Sequence, residues 1–517
     1  MILFTEMKYN YYKMRNFLLT LTLLASAVFM GACFGGTSRS GSSGGEVTGV
    51  SGSSIQEPNP YGMVLVNKGS LKMGADNLDS LWGKDIPTRE ISVDAFWMDE
   101  HEVTNSMYRQ FVYWVRDSII RERLADPAYG GDESFKIDED KNGDPITPHL
   151  NWNKAIPWKN PDEDQQRAIE SVYKIHPFDG TKMLDASQLN YRYEVYDYVT
   201  AAKRKYRLNP EERNLNTDVT VNPNETIWIS KDTAYVDEEG RIHRETITRP
   251  LSSEWDFVNT YIVNVYPDTT CWINDFQNAE NEMYMRMYFT HSNFNEYPVV
   301  GVNWEQANAF CNWRTDYLIK GLGPSAKFIQ RYRLPTEAEW EFAARGKDGN
   351  ELPWNQDGVK SDNGCFYANF KPDRGNYTQD GNLITSKVGI YSANSNGLFD
   401  MAGNVAEWTS TVYTEAGVYS MSDMNPTLTY NAAIEDPYAL KRKSVRGGSW
   451  KDPESFIKSA WRTFEYQNVG RSFVGFRCVR SMVGTPGKKV KTGKSSSGSS
   501  KKSGGSSATR SVRRTRR

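Results

Sequence analysis

The stretch RLPTEAEWEFAARG, from Arg333 to Gly346, carries a complete set of helix boundary signals. Thr336 is a favoured N-cap residue, and Glu339 three positions later can return its hydrogen bond in a capping box. Gly346 supplies a stop, because glycine readily adopts the left-handed conformation in which many helices end. The stretch therefore predicts a short helix that carries Trp340 in its middle.

Local signals upstream predict two more helices and a hairpin. Thr104 is the N-cap of a helix whose buried face consists of Tyr108, Phe111, Val112 and Val115. Asn303 and Gln306 form a second capping box, before a helix whose inward-facing residues are Ala307, Phe310 and Cys311. The stretch MVLVNKGSLKMG, Met63 to Gly74, predicts two short strands that pair as a hairpin around Lys68-Gly69.

Composition indicates a globular body with a charged tail. Aromatic residues make up 13% of the 517 residues, which is enough for a sizeable core. The net charge of −2 is uneven, because residues 488–517 hold 11 Lys/Arg and no Asp/Glu. The rest of the chain has 51 basic and 64 acidic residues. Residues 484–517 cannot bury a core and are expected to be disordered.

The N-terminus indicates export. Lys8, Lys13 and Arg15 precede an apolar run, Phe17 to Met30, that is too short for a membrane-spanning helix. The run ends in MGAC and resembles a bacterial lipoprotein signal peptide, residues 1–32, with Cys33 as the acylated first residue of the mature chain. The alternative is an ordinary secretory signal with an incidental cysteine. Residues 33–54 are rich in Gly and Ser and form a flexible tether.

Four blocks of sequence occur in a characteristic order: MVLVNKGSLKMG with FWMDEHEVTN, RLPTEAEWEFAARG, NGLFDMAGNVAEWT, and RGGSW with GFRCVR. Together they resemble the formylglycine-generating enzyme, or sulfatase-modifying factor, family over about half of the chain. The resemblance implies an α+β fold of the C-type-lectin-like superfold with little regular secondary structure. This domain would span residues 55–483, with a large insertion at about 117–297 that has no clean periodicity.

The resemblance also identifies where catalytic residues would stand. Active members hold copper with two cysteines after the Gly-Gly-Ser-aromatic turn, and thiolates are the soft ligands that suit Cu(I). The corresponding residues here are Asp452 and Ile457. Neither can form a bis-thiolate site, so we expect no copper and no oxidase activity. The five histidines do not form the His-x3-His-x-Glu cluster of iron-dependent relatives.

Two structural features of active members have matching residues in this chain. The resemblance implies a disulfide between Cys311 and Cys478. Cys271 and Cys365 are then left either to pair or to remain free thiols.

The resemblance further implies two structural calcium sites with oxygen ligands. The first comprises the side chains of Asp400 and Glu407 and the carbonyls of Gly403 and Val405. The second comprises the side chains of Asn369 and Asp380 and the carbonyls of Phe370 and Asn382. The alternative is that these side chains bond loop amides directly.

A lipid anchor combined with a degenerate catalytic turn resembles the gliding-motility lipoprotein K group (GldK/PorK) of the type IX secretion system, with the J group as the nearest alternative. The resemblance implies a non-catalytic lipoprotein on the periplasmic side of the outer membrane. Its partners would be other copies of itself and a GldN/PorN-like protein, joined in a ring. The aromatic residues of the insertion would supply either interface anchors or the insertion's own core.

Two other classes of function remain open from the sequence alone. One is a divergent oxidase with Asp452 or Glu454 as a metal ligand. The other is a peptidoglycan-binding or glycan-binding module. The basic tail would contact peptidoglycan, anionic lipid or an acidic protein surface, or would only aid solubility. Nucleic acid is not expected as a partner of an exported lipoprotein.

Overall fold

The computed structural model describes residues 56–486 except 58, 76–87, 141, 214–224, 327–328 and 416–420. The expected signal peptide, Cys33, the tether and all but the first residues of the basic tail lie outside the described residues. Across the described ranges, no helix combines the length and the apolar character needed to cross a membrane.

The structure is a mixed α+β fold of short elements, as the sequence predicts. The helices are α1 Asn105–Leu124, α2 Glu163–Glu170, α3 Tyr198–Ala202, α4 Pro210–Arg213, α5 Cys271–Asn274, α6 Glu282–Met287, α7 Trp304–Leu322 and α8 Glu337–Ala344. The first ten strands are β1 Gln56–Glu57, β2 Met63–Val66, β3 Gly69–Met73, β4 Arg89–Val93, β5 Phe96–Asp99, β6 Lys136–Glu139, β7 Pro145–Leu150, β8 Tyr173–Ile175, β9 Lys182–Leu184 and β10 Asn190–Tyr196. The remaining strands are β11 Trp228–Val236, β12 Ile242–Pro250, β13 Val258–Asn264, β14 Tyr332–Arg333, β15 Ala406–Val412, β16 Arg442–Arg446, β17 Arg462–Tyr466, β18 Val474–Gly475, β19 Val479–Ser481 and β20 Thr485–Pro486.

Two four-stranded sheets organise the core. One is antiparallel with the order β14-β19-β5-β2, and the other has the order β17-β16-β15-β18, in which β15 and β18 are parallel. Trp340 of α8 packs with Met98 and Val479 of the first sheet, while Trp408 of β15 lies in the larger cluster with Phe310 of α7. Strands that are distant in the sequence are thus neighbours in both sheets.

The three predicted helices are confirmed, together with their caps. The side chain of Thr104 accepts from the amide of Met107. Reciprocal capping boxes are present at the starts of α7 and α8. All seven residues predicted to face inward are buried, and they are Tyr108, Phe111, Val112, Val115, Ala307, Phe310 and Cys311.

The predicted hairpin between Met63 and Gly74 is wrong. Both strands exist, but β2 pairs with β5 and β3 pairs with β4. The two halves therefore enter different sheets. Alternating apolar residues indicate a strand without specifying its partner. Here each of the two strands pairs with a strand farther along the chain.

Part of the segment 117–297 is built into the main core. Helix α1 begins before this segment and extends into it as far as Leu124. Strands β10 and β13 pair along seven residues each, and Tyr191 and Tyr193 of β10 pack in the cluster that contains Phe310. Trp272 of α5 stacks on Trp450 with ring centroids 6.2 Å apart. These aromatic residues of the segment are core.

Candidate functional site

The turn after β16 is shaped by two glycines. Gly447 and Gly448 have φ angles of 92° and 65°, a region that disfavours other residues. A Cβ atom on Gly448 would lie 2.6 Å from the carbonyl oxygen of Phe456. The Gly-Gly pair therefore lets the chain fold back closely on the segment that carries both expected catalytic positions.

Asp452 occupies the first of these positions as a paired carboxylate. It accepts hydrogen bonds from Ser449 Oγ at 2.6 Å and from Lys451 Nζ at 2.7 Å. Its amide donates to the carbonyl of Ser449 at 2.9 Å. The Asp452 side chain thus stabilises the turn itself.

Ile457 occupies the second position and is fully buried. It belongs to an apolar cluster with Ala368, Phe370 and Ala402. An alkyl side chain in such a cluster has no ligand atom to offer a metal. The two positions together present one carboxylate and no thiolate.

A small cavity lies beside the turn. Its volume is about 100 Å³, and its walls include Gly448, Asp452, Phe456, Trp461 and Phe473. Pockets for drug-sized ligands are larger, roughly 300–1,000 Å³. The cavity has space for a side chain or a few water molecules.

Buried ion pairs attach the turn to helix α8. Arg446, which has no exposed side-chain surface, contacts Glu337 at 3.2 Å and also pairs with Glu341. Arg462 pairs with Glu337 at 2.7 Å. Burial by itself raises the pKa of Glu337, but the charges of Arg462 and Arg446 outweigh burial and hold the pKa below its ordinary value. Glu337 and Glu341 of RLPTEAEWEFAARG are thus the counter-ions of Arg446, the residue that precedes the turn.

A second buried ion pair joins the motif NGLFDMAGNVAEWT to the motif GFRCVR. Arg477 Nη2 lies 2.6 Å from Glu407 Oε1, and Arg477 Nε lies 2.8 Å from Glu407 Oε2. Trp340 Nε1 donates to Glu407 Oε2 at 2.8 Å. Both oxygens of Glu407 are therefore occupied by donors.

Two further carboxyl groups meet beside this pair. Glu102 Oε1 accepts from Asn404 Nδ2 at 3.1 Å, and Asp400 Oδ2 accepts from the amide of Gly389 at 2.6 Å. The other oxygens, Glu102 Oε2 and Asp400 Oδ1, are buried without a donor, and the two side chains are within hydrogen-bonding reach of each other. Burial, with the charge of Asp400, raises the pKa of Glu102 well above its ordinary value, and burial also raises the pKa of Asp400.

Sequence reasoning identified Asp400 but missed Glu102. The signal for Glu102 was an acidic residue in EVTN, beside a predicted N-cap but outside the helix. Such a residue has no local partner, because helix capping uses the side chain of Thr104 instead.

The first predicted calcium site fits the structure at Asp400, which has a free oxygen. It does not fit at Glu407, because both carboxylate oxygens already accept from Arg477 and Trp340. Gly403 lies tightly packed, since a Cβ there would be 2.2 Å from the carbonyl oxygen of Asn369. Ligation by the carbonyls of Gly403 and Val405 stays a prediction.

At the second predicted site side-chain hydrogen bonds stabilise the loop, and calcium binding there stays a prediction. Asp380 accepts from the amides of Phe370 at 2.8 Å and Asn382 at 3.0 Å. Asn369 Nδ2 donates to the carbonyl of Ile384 at 3.0 Å. No cluster of three or more His, Cys, Asp or Glu side chains that could hold a metal occurs in the part of the chain that the structure describes.

The four cysteines of the body are thiols in this structure. Cys311 Sγ and Cys478 Sγ lie 3.4 Å apart in the core, so the two residues implied to form a disulfide are in contact. Cys271 is buried and Cys365 is exposed. Both the Cys311–Cys478 pairing and the fate of the other two cysteines stay predictions.

The α+β fold, in which ion pairs join the strand before the Gly-Gly turn to helix α8, is the fold expected of the family that the four sequence blocks resemble. The model of the sulfatase-modifying factor enzyme 1-like domain matches residues 49–212 and 230–482. The chain therefore belongs to this family and has the formylglycine-generating-enzyme fold.

Relatives within the family differ in the activity that their names state. The chain is 32% identical over 199 residues to the formylglycine-generating enzyme of Mycobacterium tuberculosis, a match that covers 36% of this chain and 58% of that protein. It is 37% identical over 199 residues to the inactive C-alpha-formylglycine-generating enzyme 2 of Bos taurus, covering 37% and 53% respectively. The chain spans about half the length of the curated relatives that it matches.

A solved structure with a similar fold is PvdO from Pseudomonas aeruginosa. Its TM-score is 0.39 at 15% identity, and the match covers 81% of this chain and 94% of that one.

Proposed function

We propose that the protein is a non-catalytic scaffold subunit of the type IX secretion and gliding machinery. It is held on the periplasmic side of the outer membrane through acylated Cys33, and it associates with further copies of itself and a GldN/PorN-like partner. The observation that carries the non-catalytic part is the state of the turn, in which Asp452 is paired with Lys451 and Ile457 is buried in an apolar cluster. The name of the inactive relative from Bos taurus supports the same conclusion.

Anchoring favours assembly for a physical reason. A lipid anchor restricts each subunit to the plane of the membrane, which raises its effective concentration and limits its orientations. Contacts between different faces of identical subunits can then close into a ring. A fold retained without its metal-binding thiolates is well suited to this role, because its core remains intact.

Loss of the oxidase chemistry is tested directly with a peptide substrate. Incubation of the protein with a cysteine-containing peptide, Cu(I) and oxygen is expected to yield no formylglycine, because the site offers one paired carboxylate and no thiolate. Mass spectrometry of the peptide and an oxygen electrode provide the measurement. The Mycobacterium tuberculosis enzyme, assayed in parallel, is the positive control. Formylglycine production with oxygen consumption would refute the non-catalytic assignment.

The segment 117–297 presents an exposed apolar surface suited to assembly, which we call the hairpin–helix patch. Strands β8 and β9 form a hairpin, and Arg286 of α6 pairs with Asp179 in its turn at 2.9 Å, so that the two elements lie together. Phe178 is 94% exposed. The exposed apolar side chains of this patch are Phe178 in the hairpin turn and Met283 and Met287 of α6. Exposed aromatic and Met side chains of this kind are common anchors of interfaces.

Replacing Phe178 with aspartate is expected to weaken self-association by about thirty-fold, equivalent to roughly 2 kcal/mol, if the hairpin–helix patch is a contact between copies. The side chain is almost wholly exposed, so the fold should be unchanged. The measurement is the size distribution of detergent-solubilised complexes by mass photometry and electron microscopy.

Tyr61→Ser is the matched control for Phe178→Asp. Tyr61 is 91% exposed but lies outside the segment 117–297. Its replacement should leave the complexes at wild-type size. Recovery of wild-type protein only as a solitary monomer would exclude the ring, whereas an unchanged complex in Phe178→Asp would exclude the patch alone.

A further inference from the structure

We propose that the free edge of β12 is a contact between two copies of this chain, in which the two β12 strands pair antiparallel about a two-fold axis through Ile247. This contact joins two β11–β12 hairpins into one four-stranded sheet. Because the same surface is used by both copies, it differs from the contacts between different faces that close a ring. The inference does not depend on the scaffold function.

Strand β12 forms one edge of a two-stranded sheet. It pairs with β11 along nine residues, and among the described residues no other strand pairs with it. Residues 245–249 are all exposed. An exposed edge of this length presents unpaired backbone groups and can accept a further strand. The outer side of residues 245–249, which we call the β12 edge, is therefore open to strand addition.

The direction of the backbone groups in β12 follows from the two ends of the hairpin. At the turn, the amide of Asp237 donates to the carbonyl of Arg241 at 3.0 Å. At the open end, the amide of Leu251 donates to the carbonyl of Ile227 at 2.8 Å. Hydrogen-bonded and non-hydrogen-bonded pairs alternate along an antiparallel ladder. The odd-numbered residues of β12 therefore bond β11, and the even-numbered residues direct their amides and carbonyls outward.

Thr246 and Thr248 are the outward-directed residues of the β12 edge. Within the described ranges, their backbone groups have no hydrogen-bond partner in the protein. Their side chains bond β11 instead, because Thr246 Oγ1 donates to Asp232 Oδ1 at 2.9 Å and Thr248 Oγ1 lies 2.9 Å from Ser230 Oγ. The outward amides and carbonyls are thus left for solvent or for a partner strand.

The side chains of the strand identify a second copy as the occupant. Antiparallel pairing about Ile247 places Thr246 opposite Thr248 of the other copy, so outward-directed groups meet on both strands. It also places Glu245 opposite Arg249 of the other copy, and the two-fold axis makes this ion pair occur twice. Ile247 meets its own copy on the axis. Opposite charges and β-branched residues that face each other across strands stabilise a sheet.

Other registers lack this complementarity. An axis through Thr246 places Glu245 opposite Ile247, and an axis through Thr248 places Arg249 opposite Ile247. An axis through Glu245 or Arg249 places like charges opposite each other, which destabilises a sheet. Among antiparallel registers centred on residues 245–249, only the axis through Ile247 pairs each acid with a base.

The existing contacts of the two charged residues are compatible with the proposed pairs. Glu245 accepts from Tyr235 Oη at 3.0 Å through Oε1, and a carboxylate has a second oxygen to offer. Arg249 Nε lies 3.0 Å from Asp256 Oδ1, and a guanidinium has five N–H donors. Each side chain can therefore contact the other copy while it keeps its present partner.

Cysteine cross-linking of the full chain tests the contact. In Ile247→Cys, the substituted residues of two copies face each other at a non-hydrogen-bonded pair, where Cα atoms are about 4.5 Å apart. A disulfide can span this distance. Mild oxidation of the detergent-solubilised protein is expected to give a covalent dimer, in which mass spectrometry identifies a disulfide between the two substituted residues.

Ile390→Cys is the matched control for Ile247→Cys. Ile390 is 54% exposed and Ile247 is 36% exposed, so accessibility alone favours cross-linking of the control. Ile390→Cys is expected to give no more dimer than the wild type, which already carries the exposed Cys365. Circular dichroism verifies that each variant is folded.

Charge reversal in the Ile247→Cys protein tests the register. Adding Glu245→Arg turns both attractive pairs into repulsive ones and is expected to lower the yield of dimer about ten-fold. Adding Arg249→Glu instead is expected to have the same effect. An equal mixture of the two reversed proteins should recover the cross-link, because each acid of a mixed dimer again faces a base.

Three outcomes would overturn the proposal. The first is a dimer from Ile247→Cys that is no more abundant than the dimer from Ile390→Cys. The second is undiminished cross-linking in the charge-reversed proteins, and the third is a mixture that recovers nothing. The size of the complexes formed by the wild type and by Phe178→Asp tests the scaffold role separately, so a negative result here leaves that role standing.

Discussion

Replacing Arg446 with methionine is expected to lower the free energy of unfolding by about 3–5 kcal/mol. The guanidinium is buried between Glu337 and Glu341 and also donates to the carbonyl of Ser459 at 2.8 Å. Methionine fills much of the same volume but removes one of the two ion-pair partners of Glu341, whose carboxylate keeps its pair with Arg345. The measurement is urea denaturation of the purified protein, followed by tryptophan fluorescence.

Two variants distinguish a buried-charge effect from loss of packing. Arg167→Met removes an exposed ion pair with Asp164 and should leave the urea denaturation curve close to that of the wild type. The double variant Arg446→Met/Glu341→Gln removes the guanidinium together with the charge of its partner Glu341. It should regain part of the stability that Arg446→Met loses. An Arg446→Met protein as stable as wild type would show that the ion pairs do not hold the turn.

Replacing Gly448 with alanine is expected to cost about 2–5 kcal/mol of stability. Two effects contribute, and both follow from the backbone. The left-handed conformation costs a residue with a Cβ about 1–2 kcal/mol, and overpacking of a rigid site costs a further 1–3 kcal/mol. The atom in the way is the carbonyl oxygen of Phe456, which would lie 2.6 Å from the new Cβ, and backbone cannot move aside as a flexible side chain can. Thermal denaturation measures the change.

Gly358→Ala separates these two effects. Gly358 has a similar φ of 77°, but a Cβ there would meet nothing within 4 Å. It should therefore lose only the conformational part, about 1–2 kcal/mol. Equal losses in the two variants would mean that the close approach to Phe456 contributes nothing.

The three helices predicted from the sequence, α1, α7 and α8, were identified correctly because their boundary signals are local. Thr104, Asn303 and Thr336 each accept from the amide three residues later, so the neighbouring residues contain the whole interaction. The hairpin at Lys68-Gly69 failed because a strand's partner is not encoded in its own alternation. The sequence also left open whether aromatic residues in the segment 117–297 are buried in a core or exposed for an interface. Both kinds occur, because Tyr191 is buried and Phe178 is exposed.

In the candidate site, too, some residues could be placed from the sequence and others only from the structure. Asp452 and Ile457 could be placed from the motif alone, because their register follows the Gly-Gly turn. The resemblance also suggested Glu407 as a calcium ligand, but only the structure shows that Arg477 and Trp340 use both of its oxygens. Glu102 could not be assigned a role from its neighbours at all, since its contact with Asn404 joins positions 302 residues apart.

The amino-acid sequence by itself determined helices α1, α7 and α8, the glycine turn and the absence of thiolates at Asp452 and Ile457. Each of these depends on residue type and on spacings of a few positions. The tertiary structure alone decided which carboxylate pairs with which guanidinium and which pair of acids is left without a counter-ion. These contacts join Arg446 to Glu341 across 105 positions and Glu407 to Arg477 across 70, and burial makes each charge depend on the one partner that the chain path brings to it.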